Sequence, residues 1–187
     1  FVILDDVQYI TKGWINRNKI IINGEEQWIT IPLKNANRNR MINEIEIDSK
    51  NNIIRKNLRT LEIHFKKSSC YEIVRRLLEE ASIENSLIKY LKTTIEVISD
   101  YIGIDFNYTL SSNICKSRNL KGEERILYFV KKLGGNTYIN LTGGKDLYSC
   151  NSFNNEGINL EFLECNKFNE NNLSVMHHII CKTKSEL

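Results

Sequence analysis

Residues 123–163, EERILYFVKKLGGNTYINLTGGKDLYSCNSFNNEGINLEFL, decide the fold class. Residues 123–133 read as a helix closed by Gly134-Gly135. Residues 138–141 then read as a strand, Thr142-Gly143-Gly144 as a turn, residues 145–154 as a helix and residues 159–163 as a second strand. A further strand is expected over residues 104–110 and a last helix over 173–180. Strand, helix, strand, helix, strand at this spacing implies right-handed crossovers between parallel strands. The expected fold is therefore α/β: a mostly parallel sheet with flanking helices and a helical middle block.

That middle block begins at Asn51, where the apolar period becomes helical. Ile54, Leu58, Leu61 and Phe65 form one stripe, and Ile73, Val74, Leu77, Leu78 and Ala81 a second. Leu87, Leu91, Ile95, Ile98 and Ile102 form the third and longest, ended by Gly103. Ahead of it, residues 1–4 are a short apolar run that stops at Asp5-Asp6, as a buried strand does at a polar sheet edge. Residues 19–22 and 27–31 flank the turn dipeptide Asn23-Gly24, a hairpin signal, and Pro32 ends the second strand. Residues 34–41 read as a loop, and Ile42, Ile45 and Ile47 as another short strand. No stretch rich in Gly, Ser or Pro divides the chain, so a single domain over residues 1–187 is expected, with a helical insertion at about 51–102.

Composition narrows the function classes. The chain has 187 residues, 26 basic against 23 acidic side chains, a net charge of +3, 41% hydrophobic residues and 26% charged ones. Enough apolar surface is present to exclude disorder, and no apolar run approaches the ~20 residues of a membrane helix. The basic residues are interleaved with Glu, as in Arg75-Arg76-Leu77-Leu78-Glu79-Glu80, without the basic stripe that nucleic acid demands. The 24 Asn and 27 Ile beside one Pro and two Ala read as AT-rich codon usage, which gives single Asn residues little weight. Five scattered cysteines (Cys70, Cys115, Cys150, Cys165, Cys181) without a CxxC pair fit a reducing cytoplasm and argue against disulfides or a zinc knuckle. Adjacent His177 and His178 point about 100° apart on a helix and cannot chelate one ion, and His64 is isolated, so no metal site and no cofactor is expected.

The densest group of chemically able residues is Asp5, Asp6, Gln8, Tyr9, Lys12, Trp14, Asn16, Arg17 and Asn18. In a parallel sheet, ligands collect beyond the carboxyl ends of strands, where Asp5 and Asp6 stand if the first strand is parallel. Arg17 can pair bidentately with a phosphate or carboxylate, and Trp14 can stack on a sugar or base. The same acids can equally cap a turn. Ser111 and Ser112 follow another strand, without a neighbouring His or a GxSxG elbow. Thr142-Gly143-Gly144-Lys145 has the look of a phosphate-cradling turn but not the GxxxxGK[ST] spacing, and a plain strand-to-helix turn explains it as well.

Together, LDDVQY (residues 4–9), Lys12, Trp14 and Asn16-Arg17-Asn18 resemble the opening of the WbqC-like family of bacterial polysaccharide-cluster proteins. Trp28-Ile29-Thr30-Ile31-Pro32, residues 65–71, Ser111-Ser112, Leu133-Gly134-Gly135 to Tyr138, Gly144 to Tyr148, Phe153 with Gly157-Ile158, and Leu173-Ser174-Val175-Met176 continue the likeness in order. The resemblance implies a role among O-antigen and related glycan genes, as a transferase attaching glycine or another acyl group to an amino sugar, carried on a nucleotide. It would make Asp5 or Asp6 the base and place Gln8, Tyr9, Lys12, Trp14, Asn16, Arg17, Asn18, Ser111, Ser112, Gly143, Gly144 and Tyr148 around the substrates. The partners would be a small acyl donor and a sugar nucleotide, with no nucleic acid and no membrane span. A non-catalytic sugar-nucleotide or glycan-assembly binding module is the alternative. Two departures stand out. The family's opening strand and Gln-Pro-x-Tyr-x-Pro-Trp loop are absent, so an N-terminal segment is expected to be missing, and His177 occupies a position where Asp is common.

Overall fold

The computed structural model describes residues 1–114, 119–164 and 172–181. In chain order the elements are β1 (Val2–Ile3), β2 (Arg17–Ile22), β3 (Glu25–Thr30), β4 (Leu33–Lys34), β5 (Glu46–Ile47), α1 (Asn52–Phe65), α2 (Tyr71–Ile83), α3 (Leu87–Ile102), β6 (Thr109–Leu110), α4 (Gly122–Lys132), β7 (Thr137–Leu141), α5 (Cys150–Asn155), β8 (Asn159–Leu163) and α6 (Val175–Cys181). The strands form four separate pairs, β1–β6 and β7–β8 parallel, β2–β3 and β4–β5 antiparallel. Helix and strand are thus mixed and small parallel sheets are present, but the described strands do not join into one mostly parallel sheet. The chain divides into two compact units, residues 5–107 with 171–187 and residues 1–4 with 108–170.

The larger unit is built on the β2–β3 hairpin. Asn23 and Gly24 both take positive φ, +53° and +83°, the paired left-handed turn that two-residue hairpin loops require. The register set by that turn sends Ile20, Ile22 and Ile29 into the core, where they meet Leu61 of α1, Val74 and Leu78 of α2 and Ile180 of α6. α1, α2 and α3 follow the three apolar stripes, and each buries one face. Asn51 caps α1 by accepting from the Ile53 amide at 3.0 Å. Asn57, buried on α1, donates to the Thr30 carbonyl at 2.9 Å and so ties the helix to β3. Ser68 holds the far side, donating to the Ile180 carbonyl at 2.6 Å.

Three expected elements are shorter than the pattern suggests. Over residues 42–47 a 3-10 turn, Ile42–Glu44, comes first, because the Glu44 carboxylate accepts from the Met41 amide at 3.0 Å and closes it. Only Glu46–Ile47 remains as strand. Over residues 104–110 only Thr109–Leu110 pairs, against β1. Leu173 is not helical: it lies beside Lys19 in a parallel bridge, the Ser174 amide donates to the Lys19 carbonyl at 2.8 Å, and α6 starts after it.

In the smaller unit, β7, α5 and β8 form a parallel crossover around Phe153, which stacks on Tyr138 and meets Tyr148 edge-on, with Val130 of α4 and Ile158 completing the cluster. The helix expected from residue 145 starts later. A 3-10 turn, Thr142–Leu147, comes first, and extended backbone at Tyr148 (φ −134°, ψ 141°) and Ser149 (φ −99°, ψ 119°) separates it from α5. Cys70, Cys150 and Cys181 are free thiols, whereas Cys115 and Cys165 lie outside the described residues.

Replacing Asn57 with Ala is expected to cost about 1–3 kcal/mol, the penalty for leaving the Thr30 carbonyl buried without its donor. Ile53→Ala, on the exposed side of the same helix, should cost far less, and urea unfolding of the two variants measures the difference. A pH effect follows from His177, whose ring Nδ1 accepts from the Ile21 amide at 3.4 Å. Burial, with a smaller push from His178, holds its pKa below the ordinary value. The fold therefore favours the neutral ring, and the stability it contributes is complete above the unfolded pKa of ~6.5 and lost as pH falls below it. His177→Gln should flatten the decline in urea midpoint between about pH 7 and pH 5 relative to the parent.

Candidate functional site

The outer face of the hairpin carries the aromatic and cationic residues. Arg17 and Lys19 point outward because Ile20 and Ile22 point inward, and Lys19 pairs with Trp28 across the strands. The Arg17 guanidinium lies 4.1 Å from the Trp28 ring centroid and the Lys19 ammonium 5.5 Å from it. Trp14 joins this stack at 5.1 Å and 44° to Trp28. Both indoles stay open to solvent, at 54% and 41% exposure, which a purely structural stack does not need.

Arg17 also fixes the preceding loop. Its Nε donates to the Gly13 carbonyl at 3.1 Å and its Nη2 to that of Lys12. Lys12 has φ +59°, a conformation that costs a non-glycine residue energy and that these bonds hold in place. Asn16 is fixed at both ends: Tyr9 Oη donates to its Oδ1 at 2.8 Å and its Nδ2 donates to the Ile31 carbonyl at 2.7 Å. Burial raises the Tyr9 pKa, against a smaller opposing pull from Arg17, so the phenol keeps the proton it donates. Asn18 accepts from the Lys19 amide at 2.8 Å through Oδ1, which leaves its Nδ2 hydrogens without a protein partner among the described residues.

These residues edge a groove of about 220 Å³. Trp14, Asn16, Arg17 and Asn18 supply its polar rim; Leu91, Ile95 and Ile98 of α3 supply a largely apolar wall that also carries the Thr94 hydroxyl; Ile29, Ile31 and Leu78 lie at its floor; and Ser174 and Met176 border it at the start of α6. Tyr90 lines it as well, its pKa pushed up to about 12 by burial, so that its hydroxyl is protonated at neutral pH. A larger cavity of about 470 Å³ lies in the smaller unit, but Val2, Leu4, Ile126, Phe129, Leu133 and Ile139 make it apolar. It lacks the converging polar groups that orient a polar ligand.

The other residues singled out in the sequence lie elsewhere. Asp5 and Asp6 are buried, at 1% and 6% exposure, and neither lines the groove. The Asn43 side chain donates to Asp5 Oδ2 at 3.1 Å and the Asn43 amide to the Asp5 carbonyl at 2.9 Å. Gln8 is exposed and bridges Met41 through its backbone. Ser111, fully buried, and Ser112 belong to the smaller unit, as do Gly143, Gly144 and Tyr148. Tyr148 bonds the Tyr138 hydroxyl at 3.3 Å, a packing role. Sequence reasoning missed Trp28 and the α3 wall. Trp28 was legible from its outward register on a strand, whereas Ile95 and Ile98 look like any other core stripe. Among the described residues no group of three or more His, Cys, Asp or Glu could hold a metal ion, and no helix is long and apolar enough to cross a membrane.

Comparison with known proteins sets this geometry in context. The uncharacterized protein Rv1507c of Mycobacterium tuberculosis is 33% identical over 110 residues, which cover 56% of this chain and 46% of that one. The chain thus spans about half the length of this curated relative. No solved structure matches it. The model of the WbqC-like protein family matches residues 1–174, including the loop, the hairpin and the groove's α3 wall, and the chain therefore belongs to the WbqC-like protein family.

Proposed function

We propose that the groove binds the sugar ring of a nucleotide-linked amino sugar, and that the protein attaches glycine or another acyl group to the amine in surface-polysaccharide (O-antigen) biosynthesis. The observation that carries the proposal is the solvent-open Trp14 and Arg17, each against Trp28, at the rim of a groove sized for one ring. An indole face suits the C–H face of a pyranose, while the free Asn18 Nδ2 hydrogens suit its hydroxyls. Arg17 keeps Nη1 available for a phosphate or carboxylate at the groove mouth. At about 220 Å³ the groove is below the ~300–1,000 Å³ of sites that enclose a whole drug-sized ligand. The nucleotide would therefore lie outside it.

In the transfer, the sugar amine attacks the acyl carbonyl carbon, a C–N bond forms, the bond to the donor's leaving group breaks, and one amine proton passes to a base. Asp5 and Asp6 are the candidate bases. Their burial away from the groove wall favours a second reading, a binding module without turnover, because no carboxylate lines the groove among the described residues.

One set of measurements separates the two. With UDP-glucosamine as acceptor and glycyl thioester or glycyl adenylate as donor, amide product is followed by mass spectrometry, and binding by tryptophan fluorescence. Trp14→Ala should weaken binding by about 0.5–1.5 kcal/mol. If transfer occurs, Asp5→Asn or Asp6→Asn should lower turnover by about a hundredfold or more while binding survives. Binding by the parent with no product from either donor selects the binding module.

A further inference from the structure

We infer that the turn of residues 10–14 and the outer face of the hairpin dock on an anionic lipid bilayer. The starting point is Ile10, 66% exposed at a turn closed by the Gly13 amide, which donates to the Ile10 carbonyl at 3.2 Å. Its side chain lies against Gly13, where an added Cβ would stand 3.2 Å from Ile10 Cγ2. Ile10 and the equally open Trp14 therefore belong to one tip, with Trp28 beside Trp14. The tip is braced from below, because Arg17 donates to the carbonyls of Lys12 and Gly13. It is thus shaped before any partner arrives, which spares the cost of ordering it on binding.

Charge completes the match. Lys12, within the turn, is exposed and has no ion-pair partner among the described residues. Arg17 and Lys19 stand on the outer face with Trp28, and the one acid that the register places there, Glu26, is bound to Lys19. Tryptophan collects where lipid headgroups meet hydrocarbon, lysine and arginine pair with lipid phosphates, and an aliphatic tip enters the acyl boundary. An anionic glycan would use the indoles and the cations but leave Ile10 in water, so the aliphatic tip favours the bilayer. Ile10 does not line the groove, and the inference therefore stands apart from the sugar-binding reading, although Trp14 and Arg17 serve both.

Co-sedimentation of the full chain with vesicles tests it, with no sugar present. Vesicles of equal parts phosphatidylcholine and phosphatidylglycerol should bind about tenfold more tightly than vesicles of phosphatidylcholine alone. Tryptophan emission should shift to the blue on binding, since both tryptophans of the chain, Trp14 and Trp28, lie on the docking face. Ile10→Ser should weaken binding about tenfold or more, and Lys12→Glu about tenfold. Ile63→Ser, at a 67% exposed position on α1, should leave it unchanged. All three positions are exposed, and unaltered urea midpoints exclude unfolding as the cause. Failure to sediment with the anionic vesicles overturns the inference and leaves the sugar groove standing. Binding that Ile10→Ser leaves at full strength overturns it as well, because charge alone then accounts for the attraction.

Discussion

The alternation of the β2–β3 hairpin is the constraint on which the larger unit depends. Side chains on a strand alternate between two faces, so a one-residue slip exchanges the faces entirely. In the observed register Ile20, Ile22 and Ile29 meet α1, α2 and α6, while Arg17, Lys19 and Trp28 face outward. Shifted by one, the same strands would bury two cations and expose three isoleucines, an exchange costing many kcal/mol by the ~1.5–3 kcal/mol each buried aliphatic side chain contributes. Asn23-Gly24 fixes the register from one end. Asn57 fixes it from α1 and Ser174 from the segment before α6. The groove inherits its shape from all three, since its rim is β2 and its border is Ser174.

Arg17 illustrates how the site is assembled rather than merely furnished. Its charge suggests a ligand contact, yet two of its donors hold the carbonyls of Lys12 and Gly13, and its plane rests on Trp28. The guanidinium thus stabilises the left-handed Lys12 and keeps Trp14 against its partner. A lysine could supply the charge but neither the fork nor the flat face. Substitution here would therefore disturb the aromatic rim and the loop together, and a loss of binding on removing Arg17 does not by itself report a phosphate contact.

The helical block and the hairpin were legible because their signals are periodic and local: three apolar stripes, one turn dipeptide and one proline. The abundant asparagines were discounted as composition, and individually they prove to be ties. The side chains of Asn16, Asn51 and Asn57 bond backbone across a turn or between elements, and that of Asn43 bonds the Asp5 carboxylate. The helix expected from residue 145 is interrupted by extended backbone at Tyr148 and Ser149, which spacing does not reveal. The α3 wall was invisible for a related reason. A helical stripe says which residues share a face, not whether another element covers all of it. Leu87 and Ile88 are covered, whereas Ile95 and Ile98 border open space about two to three turns later.

Asp5 and Asp6 show the limit of reading chemistry from residue type. A strand ending in two acids suggested carboxylates at an open sheet edge, and the acids follow β1 as expected. They are nevertheless nearly inaccessible, and Asn43 donates to the first of them through both side chain and amide. Removing a carboxylate from water costs several kcal/mol unless hydrogen bonds replace its hydration. Asn43 is the visible part of that replacement, and it comes from the turn that interrupts the strand expected over residues 42–47. The turn and the acids are therefore one feature. The Asn43 amide, which that turn keeps out of a strand ladder, donates to the Asp5 carbonyl and so holds the Asn43 side chain against the Asp5 carboxylate.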